Sequence, residues 1–321
     1  MPFARQLLVL GILLTGTAWS APAPNWSWNH QDTSLALLNH DKIVWRLNFG
    51  SDEPKPNFHP LATIDGKALT AYEPTDHPWH RGLWWSWKYI NGLNYWEENK
   101  ETRTSPGLTQ LIGSKTRPSD DFSARITLTI QYHPPGEPAL LTETRHLVVT
   151  PPDDKGTYLI DWTSEFTAGD TAVSLDRTPP PHEGGPRHGG YAGLSLRFAT
   201  AFDDLSCIGI GGETAAEAAH GKAARWLAIA DATSGIAIFD HPENLRHPQP
   251  WYVHNTASMR FFSPSPIFND PLRIAPGKKI TFRYRVMVNS QPVPQGELDL
   301  AWKSFASMEN TEPQPNPQNQ P

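Results

Sequence analysis

From Ala124 to Tyr132 every second residue is apolar, and the same rhythm of two runs through residues 158–166 and 280–288. Successive side chains of a strand point to opposite faces, so this spacing predicts strands with one buried and one wetted face. Shorter strands are expected over 43–49, 141–149, 192–198, 226–230, 235–239 and 258–262. Thirty-two prolines and 23 glycines punctuate the runs. Many short strands between such breaks, with no strand–helix–strand alternation, predict an all-β fold: a large antiparallel β-sandwich with few short helices. One short helix is expected over 213–220. A second follows from Leu298, Ala301, Trp302 and Phe305, which recur at helical spacing.

Charge and composition narrow the function classes. Twenty-seven basic against 33 acidic residues give a net charge of −6, without the basic excess of a nucleic-acid binder. Aromatic residues make up 11% of the chain, too many for a disordered one. Mean hydropathy is −0.49, and no apolar run past the N-terminus reaches the ~20 residues of a bilayer span. The single Cys207 excludes an internal disulfide.

The first 20 residues read as a signal peptide: Arg5, an apolar stretch over 7–14, then Ala18 and Ser20 spaced for cleavage before Ala21. A periplasmic or secreted protein is expected. A single domain is expected over 25–308, followed by a tail, 309–321, with no apolar residue past Met308 and the composition of a disordered segment.

Three loops carry residues that a sandwich core does not need. The first, TDHPWHRGLWW at 75–85, sets His77 and His80 around a stiff Pro-Trp pair, with Arg81 next. Imidazoles exchange protons near neutral pH, and a guanidinium holds carboxylates or oxyanions. His77 and His80 are therefore acid/base candidates and Arg81 a ligand anchor. The same side chains could instead hold the turn through hydrogen bonds to loop carbonyls. The second loop, DRTPPPHEGGPRHGG at 176–190, offers Glu183, Arg187 and His188, with Tyr191 just beyond. The third, DHPENLRHPQPW at 240–251, places Asp240 and His241 at a strand end, followed by His247 and Trp251. Asp240 and His241 join the catalytic candidates; His247 and Trp251 join the substrate-binding ones.

Trp84 and Trp96 are candidate stacking faces for sugar rings, while most of the other tryptophans are expected in the core. Glycoside hydrolysis also needs a pair of carboxyl groups. Glu97, Glu98, Glu183, Asp240 and Glu243 are available, but no spacing selects two. Glu97 and Glu98 are adjacent and would point to opposite sides.

Four stretches carry a resemblance: TDHPWHRGLWWSWKYINGLNYWEE at 75–98, GGYAGLSLRF at 189–198, the run from HGKAARWLAIAD to FDHPENLRHPQPWYV within 220–253, and FFSPSPIFNDPLRIAPGKKITFRYRVMV at 261–288. Through them the chain resembles a bacterial secreted family labelled methane oxygenase PmoA-like, in effect a family of unknown function. That resemblance implies a galactose-mutarotase-type β-sandwich and a setting in carbohydrate metabolism. It departs in the second loop, where many relatives carry an acidic-Lys-Glu-Gly stretch. The methane label does not describe an activity here, because a particulate methane monooxygenase subunit is embedded in a membrane and this chain is polar.

Together these readings predict an exported carbohydrate-active protein, an enzyme acting on a sugar or glycoside by His/carboxylate acid–base chemistry as a hydrolase, lyase or epimerase. A non-catalytic glycan-binding module and a His-ligated metal enzyme are the alternatives. Neither a cofactor nor a tightly bound metal is expected: structural zinc generally takes four ligands, often Cys, and every His here has another explanation beside it. The three His-rich loops are expected to converge on one pocket.

Overall fold

The computed structural model describes residues 23–186, 188–199, 206–209, 212–214 and 216–308. The leader at 1–20, the tail at 309–321 and Arg187 lie outside them. Two large sheets face each other, and among the described residues every ladder is antiparallel. The first holds eight strands, in the order Trp26–Gln31, Ser34–Asn39, Lys42–Asn48, Asn57–Leu61, Leu83–Ser86, Gly193–Arg197, Arg260–Pro264 and Trp251–Asn255. The second holds nine, and its middle is built from Gly235–Asp240, Lys279–Asn289, Tyr158–Ala168, Leu141–Val149 and Ala124–His133. A small four-stranded sheet includes Val173–Asp176 and Tyr89–Ile90. The fold is an all-β sandwich.

Alternation builds the core. Along Tyr158–Ala168 buried and half-buried residues alternate without a break, and the buried set, including Trp162 and Phe166, meets the inner face of the first sheet. Trp85 is the central plug, with its ring 5.0 Å from Phe166 and 5.5 Å from Phe282. The long strands expected from the sequence lie within a residue or two of their observed ends. The strand expected over 258–262 starts later, at Arg260, because Thr256 and Met259 close a tight turn through reciprocal backbone bonds. Where a helix was expected over 213–220 there is a strand end, Gly212–Thr214, followed by one helical turn, Ala216–Ala219.

The C-terminal helix Gln295–Ala306 covers the outer face of the nine-stranded sheet, where Leu298 and Phe305 pack on Trp226 and Phe239. Among the described residues no long helix covers the outer face of the eight-stranded sheet at the end formed by Leu83–Ser86, Gly193–Arg197, Arg260–Pro264 and Trp251–Asn255; only the turn Ala216–Ala219 packs beside the last of these. Loops rise around that end and leave a hollow.

Candidate functional site

The floor of the hollow follows from the strand period of two. In Leu83–Ser86 the side chains of Leu83 and Trp85 enter the main core, and Trp84 points the other way. In Arg260–Pro264 Phe262 faces the core and Phe261 the hollow; in Trp251–Asn255 Trp251 and Val253 face the core and Tyr252 the hollow. Arg197 comes up from the adjoining strand, where it is the partner of Phe261 in register. Trp84, Trp96, Tyr252, Phe261 and Phe268 form an aromatic cluster of their own on this side. Above it lies a pocket of about 450 Å³ walled by Trp79, His80, Trp96, Tyr191, Tyr252 and Phe261, with Asp76, His77, Glu97, His188, His254 and Ser258 supplying polar groups. Such a lining, mostly aromatic with a few converging polar groups, is that of a small-molecule site.

The first loop supplies the chemistry. Asp76 is gripped from below by Arg197, which is fully buried and donates from Nη2 to both carboxylate oxygens at 2.9 and 2.8 Å. The same carboxylate accepts from His77 Nδ1 at 2.8 Å. Burial pushes the Asp76 carboxyl up, but the hydrogen bonds from His77 and Arg197 outweigh it and hold it below the usual carboxylate range. In the neutral ring this bond keeps the proton on Nδ1 and leaves Nε2 as the lone-pair nitrogen at the pocket wall, the arrangement that orients a general base.

His80 lies one layer deeper. Its ring stacks on His77 with centroids 4.6 Å apart and on Phe261 at 5.2 Å. Burial first, then the closeness of the His77 ring and of the Arg197 guanidinium, push its pKa well below the ordinary histidine value. Arg197 Nη1 reaches His80 Nδ1 at 3.5 Å, and a guanidinium can only donate, so these partners assign the His80 proton to Nε2. The pair therefore has opposite polarity: His77 offers a lone pair and His80 an N–H.

Across the pocket Glu97 is saturated. Lys88 donates to it, as do Asn94 Nδ2 at 2.7 Å and Tyr191 Oη at 3.0 Å. Burial raises its carboxyl and these donors, Lys88 first, bring it below the usual range. Glu98 points the opposite way, to Lys55 at 2.5 Å and to Arg81.

The expected convergence holds for part of the site only. His77, His80, Trp96, His188 and Tyr191 line the pocket. Trp84 stands behind it, its ring 5.1 Å from His80 and 5.8 Å from Trp96. Arg81 does not reach a ligand: it is fully buried, and Glu53, Glu73 and Glu98 occupy its guanidinium. Glu183 pairs with Arg177 at 2.5 Å and lies outside the pocket lining.

The third loop is elsewhere. Asp240 is fully buried and serves as the loop's internal acceptor, taking bonds from Asn244 Nδ2 at 2.7 Å, His247 Nδ1 at 2.8 Å and the Gln249 amide at 3.0 Å. His247 stacks on Trp302 and His241 packs edge-on against Phe305, which ties both to the C-terminal helix. Trp251 is core, its indole N–H donating to Ala224 O at 2.9 Å. Asp240, His241, His247 and Trp251 are thus loop and core anchors, not pocket wall. Tyr252, His254 and Phe261 stand in their place, together with Asp76, Trp79 and Arg197. A signal for Arg197 was present: it is a charged residue in an apolar strand, GLSLRF, where burial of the guanidinium requires an acidic partner.

A family model for a family of unknown function (DUF6807) matches residues 34–303. The chain belongs to this family. The methane-oxygenase name of the sequence resemblance does not accompany that match. No curated protein matches the chain. Among solved structures it is similar to an alpha-galactosidase from Lactobacillus brevis, at 9% identity and TM-score 0.43, over 84% of this chain and 40% of that one. It thus spans well under half of that protein's length. A second likeness is to the Slr1438 protein from Synechocystis sp. PCC 6803, at 8% identity and TM-score 0.25, over 84% of this chain and 97% of that one. Neither score carries a functional argument, and the case for function rests on the pocket. Among the described residues no three His, Cys, Asp or Glu side chains are grouped to hold a metal, and no helix is long and apolar enough to cross a membrane.

Proposed function

We propose that this member of the family binds a sugar or glycoside in the aromatic pocket and moves a proton on it, with His77 as the base and His80 as the hydrogen-bond donor. The observation that carries this reading is the Arg197–Asp76–His77 chain, which fixes one imidazole tautomer at the wall of a pocket otherwise lined by rings. Aromatic faces pack against the C–H faces of pyranoses, and the surrounding polar groups exchange hydrogen bonds with hydroxyls. Of the three reaction classes the sequence leaves open, the site favours lyase or epimerase chemistry over hydrolysis. A glycosidase needs one carboxyl held protonated by a raised pKa. Both carboxyl groups of this pocket, Asp76 and Glu97, are shifted the other way. Export to the periplasm or beyond belongs to the same proposal, supported by the leader-like residues 1–20.

The test is proton NMR in D₂O with aldoses, ketoses, uronates and their methyl glycosides. Turnover by wild type that incorporates solvent deuterium or changes the anomeric or epimeric ratio, and that fails in His77→Ala, supports the reading. Saturable binding without turnover would replace it by a glycan-binding module. Absence of both binding and turnover would refute it.

A further inference from the structure

A second hollow of about 510 Å³ adjoins the first and shares His188, Tyr252 and His254 with it. Tyr252 is the partition. Its ring lies 5.5 Å from both Tyr191 and Phe261 on one side and 4.9 Å from His220 on the other. The second hollow has its own aromatic surface, with His220 set edge-on 5.4 Å from Phe268. The main chain is drawn in close behind that surface. Gly221 has φ of 71°, and a Cβ there would stand 3.1 Å from the Phe268 ring. Gly190 is tighter still, since a Cβ would come within 2.7 Å of the same ring. The Phe268 face is thus held in place by backbone that has no room for side chains.

The lining of this second hollow carries no Asp, Glu, Lys or Arg among the described residues. Its polar groups are imidazoles, the amides of Asn255 and Asn269, and the hydroxyls of Thr256 and Tyr252. The nearby Arg177 is spent on Asp176, Glu183 and the Phe268 and Asn269 carbonyls. Recognition of a phosphate or carboxylate normally uses a fixed guanidinium or ammonium, and among the described residues none lines this space. Ring faces with neutral donors and acceptors fit an uncharged polyhydroxyl ring.

We infer that the ligand is a neutral oligosaccharide of at least two residues, one ring beside His77 and the next beyond Tyr252 against Phe268 and His220. The inference rests on the sugar-binding reading above and extends it to a substrate class. The shared wall is what makes one molecule, rather than two independent ones, the economical occupant.

The test is calorimetry at pH 8, above the ordinary imidazole pKa of about 6.5. D-Glucose, D-galactose and D-xylose are each compared with the β-1,4-linked disaccharide of the same sugar. At least one disaccharide should bind about tenfold tighter than its monosaccharide, the equivalent of one added ring contact. Two variants probe the second hollow without touching the first: Asn269→Trp, on an exposed position, and His182→Ala, whose side chain is 61% exposed. Asn269→Trp should abolish the disaccharide advantage, His182→Ala should reduce it, and both should leave monosaccharide affinity unchanged. Equal wild-type affinity for the two lengths would overturn the inference and leave the sugar-binding reading standing, as would an advantage that survives both variants. Tighter binding of a disaccharide whose second ring is a glucuronate would overturn its neutral character. Failure of every saccharide to bind would overturn both proposals.

Discussion

Replacing Asp76 by Asn removes the charge that sets the site's polarity while keeping the side-chain volume. Breaking a buried ion pair from one side costs about 3–5 kcal/mol, because the remaining charge stays buried. Arg197 is buried, but the Asp76 side chain is 39% exposed, and Asn keeps one oxygen that can accept from the guanidinium. Screening by water and the surviving bond cut the cost to about 1–2 kcal/mol. A chain of this size should then melt roughly 2–8 °C lower at pH 7. The sign of the pH dependence is fixed by the direction of the Asp76 shift. A carboxyl held below its unfolded value contributes stability above about pH 4 and loses it as pH falls through the lower folded value. The wild-type advantage should therefore be full at pH 7 and shrink as pH falls below about 4. The functional loss should be larger, because an Asn amide facing Nδ1 would favour the other tautomer; removing an orienting carboxylate from a His base costs about 10⁴-fold in serine proteases. Melting curves across pH report the first effect, and nitrogen NMR of histidine-labelled protein reports the tautomer. If His77 keeps its proton on Nδ1 in Asp76→Asn, or the variant melts with the wild type at pH 7, the orienting role assigned to Asp76 is wrong.

Further outcomes test the separation of the third loop from the pocket and the packing around it. His247→Ala should cost about 1–3 kcal/mol, read by denaturant midpoint, because it leaves the buried Asp240 carboxylate short of a donor; its ligand affinity should match the wild type, and a loss of binding would return this loop to the site. Gly107→Ala should destabilise by about 1–3 kcal/mol by overpacking, since a Cβ there would sit 2.3 Å from the buried Tyr95 ring; an unchanged midpoint would contradict that close approach. His59 is pulled down to about 4 by burial and then by Arg46, so it must gain a proton on unfolding below about pH 6.5. Stability should fall as pH drops from 6.5 toward 4, and His59→Phe should make that slope shallower.

The long central strands were legible because polar and apolar side chains alternate through residues 124–132, 158–166 and 280–288; along the last, the polar set of Arg283 and Arg285 is itself buried, Arg285 against Phe305 of the C-terminal helix. Leu83–Ser86 was not legible: all four of its residues are buried, Trp84 by the pocket cluster and Trp85 by the core, so the sequence loses its alternation there. Trp251–Asn255 hides in a similar way: its first three residues are all buried and its last two are polar, so no alternation marks it and Trp251 reads as the end of a loop. The site divides along a similar line. The two histidines of the first loop could be found from their neighbours in sequence. Arg81 misled because an arginine reads alike whether it awaits an anion or already holds three carboxylates. Asp240 misled because a strand-end carboxylate can face a ligand or bind its own loop, and only the positions of Asn244, His247 and Gln249 decide between them. Phe261 reaches the pocket, and Arg197 the underside of Asp76, by cross-strand pairing, which residue order does not contain.

The floor of the pocket is the back of the strands whose front is the main core. Leu83, Trp85 and Phe262 are locked into the sandwich, and Trp84 and Phe261, their neighbours in the chain, inherit that immobility. A binding surface on such a slab is preorganised: the ring-stacking planes stand ready before any ligand arrives, and little conformational entropy is left to lose on association. Adaptation falls to the loops of the rim, among them 76–79, 254–259 and the segment carrying His188 and Tyr191. Variation among relatives in what they bind could therefore be written into rim positions while the slab stays as it is.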